Sequence, residues 1–204
     1  DSEQVTHTLD LMVENDVSID PTIAIHEALL LSRNGEVQAG VVDYIDHMPI
    51  GEQRSAKQAW SKIETDEEDA AYAGAFAQII ATVKLMKDRG IFIIPGTDLG
   101  GAFTLHRELE LYQQVGYTPA ELLALSTQGM ADYVGMGEEI GSIEPGKLAD
   151  FFVVPGDPTL DFKAVKTISM VMKDGVAYFP TEIYPSFGIE PFTEVPTMTA
   201  PSGE

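Results

Sequence analysis

FIIPGTDLGG, residues 92–101, is the stretch on which the reading of this chain turns. The apolar run Phe92-Ile93-Ile94 closes on a bare aspartate, Asp98, set between Gly96-Thr97 and Leu99-Gly100-Gly101. A parallel strand delivers a functional group to the carboxyl edge of a sheet in this way, and an ordinary loop can begin in the same way, so the flanks decide. Upstream, residues 66–88 read as a helix. Thr65 and Glu68 are spaced as a capping box, Asp66, Glu67, Glu68 and Asp69 fill the first turn, and Lys84, Lys87 and Arg89 gather at the end, as the helix dipole favours. Gly90 is the stop. Downstream, a second helix is predicted from Thr104 to Gly116. A third follows, with Thr118 as cap, Pro119 at its first position and Glu121 completing another box, running to about Tyr133. Helix, strand and helix in alternation predict an α/β fold with parallel strands.

Farther from the centre, the apolar residues of TLDLMVEN (8–15) predict the end of an amphipathic helix. VSIDPTIAI (17–25) is β-branched and apolar and predicts a strand with an irregular exit, because its proline resists a central ladder position. Residues 26–62 are the least legible: His26 to Leu31 reads as helix, Arg33-Asn34-Gly35 as a break, and Met48-Pro49-Ile50-Gly51 as a loop. After residue 138 the character changes. Gly141 to Gly146 is turn chemistry, Phe151–Val154 a short strand, and Lys173-Asp174-Gly175 lies between the apolar runs 167–172 and 176–179, a strong hairpin signal. The expected organisation is an α/β part over 1–138, a β layer over 139–180 and a partly ordered, proline-containing tail over 181–204.

The chain has 204 residues, 44% of them hydrophobic, which is enough for one core of ordinary size. No apolar run approaches the length of a membrane span. Twelve Lys and Arg against 33 Asp and Glu give a formal charge of −21, a surface that repels nucleic acid and anionic membranes. With no cysteine, disulfides, thiolate ligands and a cysteine nucleophile are all excluded. Cytoplasmic and exported locations remain equally open, as does the oligomeric state.

The chemistry-bearing candidates are few. His7, His26, His47 and His106 form no HxH or HExxH pair, so no local metal motif exists. His7, His26 and His47 read as surface or structural residues. His106 follows Asp98 by eight residues at the opening of the next helix, on the face where (β/α) units bind ligands, and is a candidate substrate contact. No G-x-S-x-G elbow or phosphate-cradling loop is present, and the glycines at 96, 100 and 101 do not fit a dinucleotide fingerprint. Asp98, at a strand end with small residues clearing space around it, is the strongest single candidate for catalysis.

Taken as one piece, IPGTDLGG, then LHRELELYQQVGYTPAELLALSTQGMADYVGM, GSIEPGKLADFFVVPGDP and VMKDGVAYF, in that order, resembles the C-terminal part of the metal-dependent amidohydrolase superfamily, in its imidazolonepropionase-like and Xaa-Pro-dipeptidase-like branch. The resemblance covers roughly residues 8–180. It implies the C-terminal part of a (β/α)8 TIM barrel, with 17–24 as strand seven and 91–98 as strand eight, plus a small β-sandwich segment over 141–180. It also implies that Asp98 is both a metal ligand and the carboxylate that takes a proton from a metal-bound water. The implied cofactor is a divalent metal, zinc, as one or two ions in a complete protein. The implied substrate is a small amide or peptide cleaved at its C–N bond, with no nucleic acid and no membrane insertion. The HxH pair, the bridging lysine and the single histidines of the family pattern have no counterpart here, so the expectation is a C-terminal portion, inactive by itself. The alternative is a truncated protein that acts as a binding or interaction module.

Overall fold

The computed structural model describes residues 2–101 and 103–197. Helix α1 (Glu3–Glu14) opens on Ser2, whose hydroxyl accepts from the Val5 N–H, and buries Leu9. The 17–25 stretch then departs from expectation. Its only strand-like pairing is one parallel bridge, Ile19 to Ile93, held by Ile19 N–H to Phe92 O (3.0 Å) and Ile94 N–H to Ile19 O (2.8 Å). Pro21 and a left-handed Thr22 (φ 45°) stop the extended backbone, and Ile23 already belongs to helix α2 (Ile23–Leu31).

Residues 32–64 wrap as short 3₁₀ turns and helix α3 (Ile50–Ser55). The expected loop at 48–51 is thus a helix entry: Pro49, with φ near −53°, leads directly into the first turn. Helix α4 (Asp66–Asp88) starts where the capping residues predicted. Thr65 Oγ1 accepts from Glu68 N–H, but the Glu68 carboxylate closes on Glu64 N–H instead of Thr65, so the box is shifted by one residue. Gly90, at φ 79°, ends the helix in the left-handed region that a Cβ disfavours.

Helix α5 (Thr104–Val115) ends at Gly116 with φ 102°. Helix α6 (Pro119–Ala124) begins with the full Thr118–Glu121 capping box. It continues through a π-helical stretch, Leu125–Gly129, into α7 (Met130–Tyr133). The core lies between α2, α4 and α5, where Ile23, Phe76, Val83, Leu111 and Tyr112 pack on Ile93. Helix α5 is the buried centre, with Leu111, Tyr112 and Val115 sealed from water.

The β layer is a three-stranded antiparallel sheet, β1 (Phe151–Val153), β2 (Met170–Lys173) and β3 (Val176–Tyr178), in the order β1-β2-β3. The predicted Asp-Gly hairpin is present, with Asp174 (φ 51°) and Gly175 (φ 76°) both left-handed. Strand β2 begins at Met170 instead of 167, because Phe162–Lys166 forms a 3₁₀ turn capped at Thr167. The segment after β3 is more ordered than a tail. Helix α8 (Pro180–Ile183) and a 3₁₀ turn, Tyr184–Phe187, follow, and Phe192 stacks on Tyr184 with ring centroids 5.4 Å apart. The last seven positions of the expected tail lie outside the described residues.

Candidate active site

The exit of the 91–98 segment is built from its neighbours. Ile91 and Ile93 are buried, and Tyr112 of α5 donates to Ile94 O at 2.9 Å. Gly96 N–H donates to Asp20 Oδ1 at 3.1 Å. A Cβ on Gly96 would overlap the Asp20 carboxylate, so a side chain there would have to displace this partner. Thr97 Oγ1 accepts from Leu99 N–H (3.2 Å) and donates to Leu99 O (3.1 Å). Asp98 sits between these ties at φ 50°, a conformation that Asp tolerates better than most residues. It is exposed, and among the described residues its carboxylate accepts no hydrogen bond.

The far side of Asp20 is fixed by α5. Glu108, with no exposed surface, accepts from the N–H groups of Ile23 (2.9 Å) and Ala24 (2.6 Å), two of the free donors at the start of α2. One helix thereby holds both chain segments that flank Asp98: Glu108 takes α2, and Tyr112, one turn on, takes the 91–98 segment. Burial raises the Glu108 pKa to about 7, against the pull of its two backbone donors.

His106 lies in the first turn of α5, half-buried, with its ring 5.9 Å from that of Phe103. Its Nδ1 is buried without a hydrogen-bond partner among the described residues. Burial lowers its pKa, and the Lys166 ammonium lowers it further, so the ring is neutral at pH 7. No hydrogen bond joins His106 to Asp98 among the described residues. His7 is exposed on α1 and His26 is half-buried on α2. His47 lies 3.0 Å through Nδ1 from Glu190 O and beside Phe192, a structural role as expected.

Next to the Asp98 turn, residues 99–101 help wall a partly open cavity of about 720 Å³, lined elsewhere by α2, the 37–60 segment and Phe187. Its floor carries an ion pair that the sequence reading missed. Arg107 donates Nε and Nη2 to the two carboxylate oxygens of Glu27 (2.8 and 2.6 Å) and Nη1 to Glu110 (2.9 Å). Glu110 also pairs with Lys166, which reaches Asp43 at 2.7 Å. The signal for these residues is weak in one dimension: Arg107, Glu108 and Glu110 sit in a helix whose polar positions read as a solvated face. Asp20, placed just before Pro21 at an extended run's end, was the more legible of the missed residues.

Among the described residues no three His, Asp or Glu side chains gather into a group able to hold a metal ion.

The amidohydrolase family model matches residues 7–177. An imidazolonepropionase of Brevibacillus brevis is 32% identical over 103 residues, covering 47% of this chain and 24% of that protein. An imidazolonepropionase of Shouchella clausii is 46% identical over 61 residues, 28% of this chain and 14% of that protein. The chain thus spans a quarter or less of the curated relatives it matches. Of the solved structures, a Xaa-Pro dipeptidase with bound methionine in its active site aligns over 85% of this chain and 37% of its own, with a TM-score of 0.60 and 24% identity. An amidohydrolase aligns over the same shares at a TM-score of 0.58 and 24% identity. Those two likenesses show the fold: this mixed helix and sheet structure matches part of the TIM-barrel amidohydrolases.

Proposed function

This chain belongs to the amidohydrolase family, and we propose that it is the C-terminal portion of a hydrolase that cleaves the C–N bond of a small amide or peptide, with Asp98 as its proton-transfer carboxylate. In this reading residues 17–24 and 91–98 hold the places of the last two barrel strands, the first cut short after the Ile19 bridge by Pro21, and 139–180 is a sandwich segment. The observation that carries the reading is the Asp98 turn. Its flanks are tied to Asp20 and Leu99, while the carboxylate itself is exposed and, among the described residues, unengaged. A carboxylate so presented can accept a proton from an attacking water and return it to the leaving nitrogen, provided both come within hydrogen-bond reach. His106, whose buried Nδ1 has no partner among the described residues, is assigned to substrate contact.

Amidohydrolases generally use divalent metals. The described residues of this chain do not by themselves fit an ion, since no ligand group assembles. Asp98 is the one residue here that we assign to such an ion, with zinc as the proposed metal.

Asp98→Asn in the intact protein tests the reading. Asn keeps the shape but has no charge with which to hold a proton. The expected result is a loss of kcat of roughly 100-fold or more, the scale of general acid–base catalysis, with a smaller change in KM. Metal content is measured on the same sample. A near-normal kcat at full metal loading ends the assignment and leaves the binding-module reading in its place.

A further inference from the structure

The geometry points to the cavity beside residues 99–101 as a binding site for an uncharged, ring-sized apolar group carried by the substrate; this deepens the proposed function and rests on it. The cavity, at about 720 Å³, is of the size that small-molecule sites take. Its walls include Ala28 and Leu31 of α2, Tyr44, Met48, Trp60 and Phe187, so an occupant meets aliphatic and aromatic surface on several sides. Its edge at Leu99-Gly100-Gly101 follows directly on Asp98 in the chain, which places the cavity beside the Asp98 turn.

The charges of the lining decide what it accepts. Two arginines contribute, and both are already paired. Arg107 gives Nε and Nη2 to Glu27 and Nη1 to Glu110. Arg33 gives Nε and Nη2 to Asp69 and Nη1 to the carbonyls of Leu30 and Ser32. These bonds use three of the five N–H donors of Arg107 and four of those of Arg33, and each guanidinium charge is already matched by a carboxylate, so an ionised ligand buried here loses its hydration for little return. The two lining carboxylates outside these pairs, Glu36 and Glu52, are both exposed. They repel an anion, and being solvated they offer a cation little.

Trp60 makes the test direct. It is the chain's only tryptophan, it lines the cavity, and it is half exposed. Three probes share one phenyl ring: N-acetyl-L-phenylalaninamide (neutral), N-acetyl-L-phenylalanine (anion) and 2-phenylethylamine (cation). Titrated into the full chain at pH 7, the neutral probe is expected to give a saturable change in Trp60 emission. The two charged probes are expected to bind about tenfold more weakly, the discrimination that desolvating an unpaired charge supplies. Ala28→Phe, which fills the cavity, should weaken the neutral probe about tenfold as well, with an unchanged circular dichroism spectrum. Should that variant fail to fold, Trp60→Ala, a half-exposed site, followed by calorimetry must show weakened binding instead. Absence of saturation, equal affinity for the three probes, preference for a charged one, or full binding by a folded Ala28→Phe overturns the inference. Asp98→Asn is expected to bind the neutral probe as the wild type does. Failure of the probe alongside loss of turnover in Asp98→Asn removes this inference alone; probe binding with normal turnover in Asp98→Asn removes the hydrolase assignment alone.

Discussion

Glu108 is a carboxylate without contact with water, and its charge has a consequence for stability against pH. Burial raises its pKa from 4.5 to about 7, and the N–H groups of Ile23 and Ala24 only partly offset this. Between those two values the native state binds more protons at this site than the unfolded chain. Its contribution is therefore fully present below about pH 4.5 and is lost as pH rises towards 7. His106 works in the opposite sense: its pKa is held below 6.5 by burial, so the native ring stays neutral and its contribution is lost as pH falls. The wild-type profile mixes the two, so the measurement is a difference. Glu108→Gln replaces the titrating acid with a neutral isostere and leaves His106 in place. Urea unfolding at pH 5, 6 and 7 is expected to show wild-type stability declining relative to the variant as pH rises. Parallel profiles would mean that Glu108 does not titrate in this window.

At the scale of elements, α5 organises the chain through its buried polar side chains as much as its apolar ones. Glu108 and Tyr112 hold the segments that flank Asp98, while Arg107 and Glu110 join α2 to the Phe162–Lys166 turn through Glu27 and Lys166. Removing one partner from such a network strands the rest in a dry environment. Lys166→Met is therefore expected to destabilise the fold by about 3 kcal/mol in denaturant unfolding, with Lys166→Met and Glu110→Gln together costing less than the sum of the two. Strict additivity would show that the buried charges act independently.

The same helices explain what could be read in advance. Helix ends were legible because caps are local: Thr65, Gly90, Gly116 and the Thr118-Pro119-Glu121 start each act within a few residues of themselves, and Asp174-Gly175 sets its hairpin in the same way. The 17–25 strand was not legible because pairing is non-local. Its β-branched residues fit a strand, but Pro21 and the pull of Glu108 on Ile23 and Ala24 turn the backbone into α2 after a single bridge. The Asp98 turn could be located, whereas its support by Asp20, 78 positions earlier in the sequence, belongs to tertiary structure.

On the scale of the whole molecule, two opposing features meet. The Ile19–Ile93 bridge pairs one side of each segment. Ile93 is sealed in the core, but among the described residues the N–H and C=O of half-buried Ser18, on the outer side of the bridge, enter no backbone hydrogen bond. Val17, next in the chain, and Leu11 and Val13 of α1 are each more than two-fifths exposed. Unpaired extended backbone beside apolar surface is a template for association. Against it stands a formal charge of −21, which makes any two copies repel. The balance is set by solution conditions. In dilute buffer at pH 8 the repulsion reaches across the contact distance; at 1 M salt the screening length falls to about 3 Å and the repulsion is lost, while the apolar contact persists. Lowering the pH towards the isoelectric point near 4.3 removes the charge itself. Light scattering coupled to size exclusion is therefore expected to give a monomer at low salt and pH 8. Larger, concentration-dependent species should appear either in 1 M sodium chloride or near pH 5. Asp at both Leu11 and Val13 should restore the monomer in high salt, because it adds charge at the exposed face and removes the apolar surface. A chain that stays monomeric through all of these conditions would show that its open backbone groups are not available to a second copy.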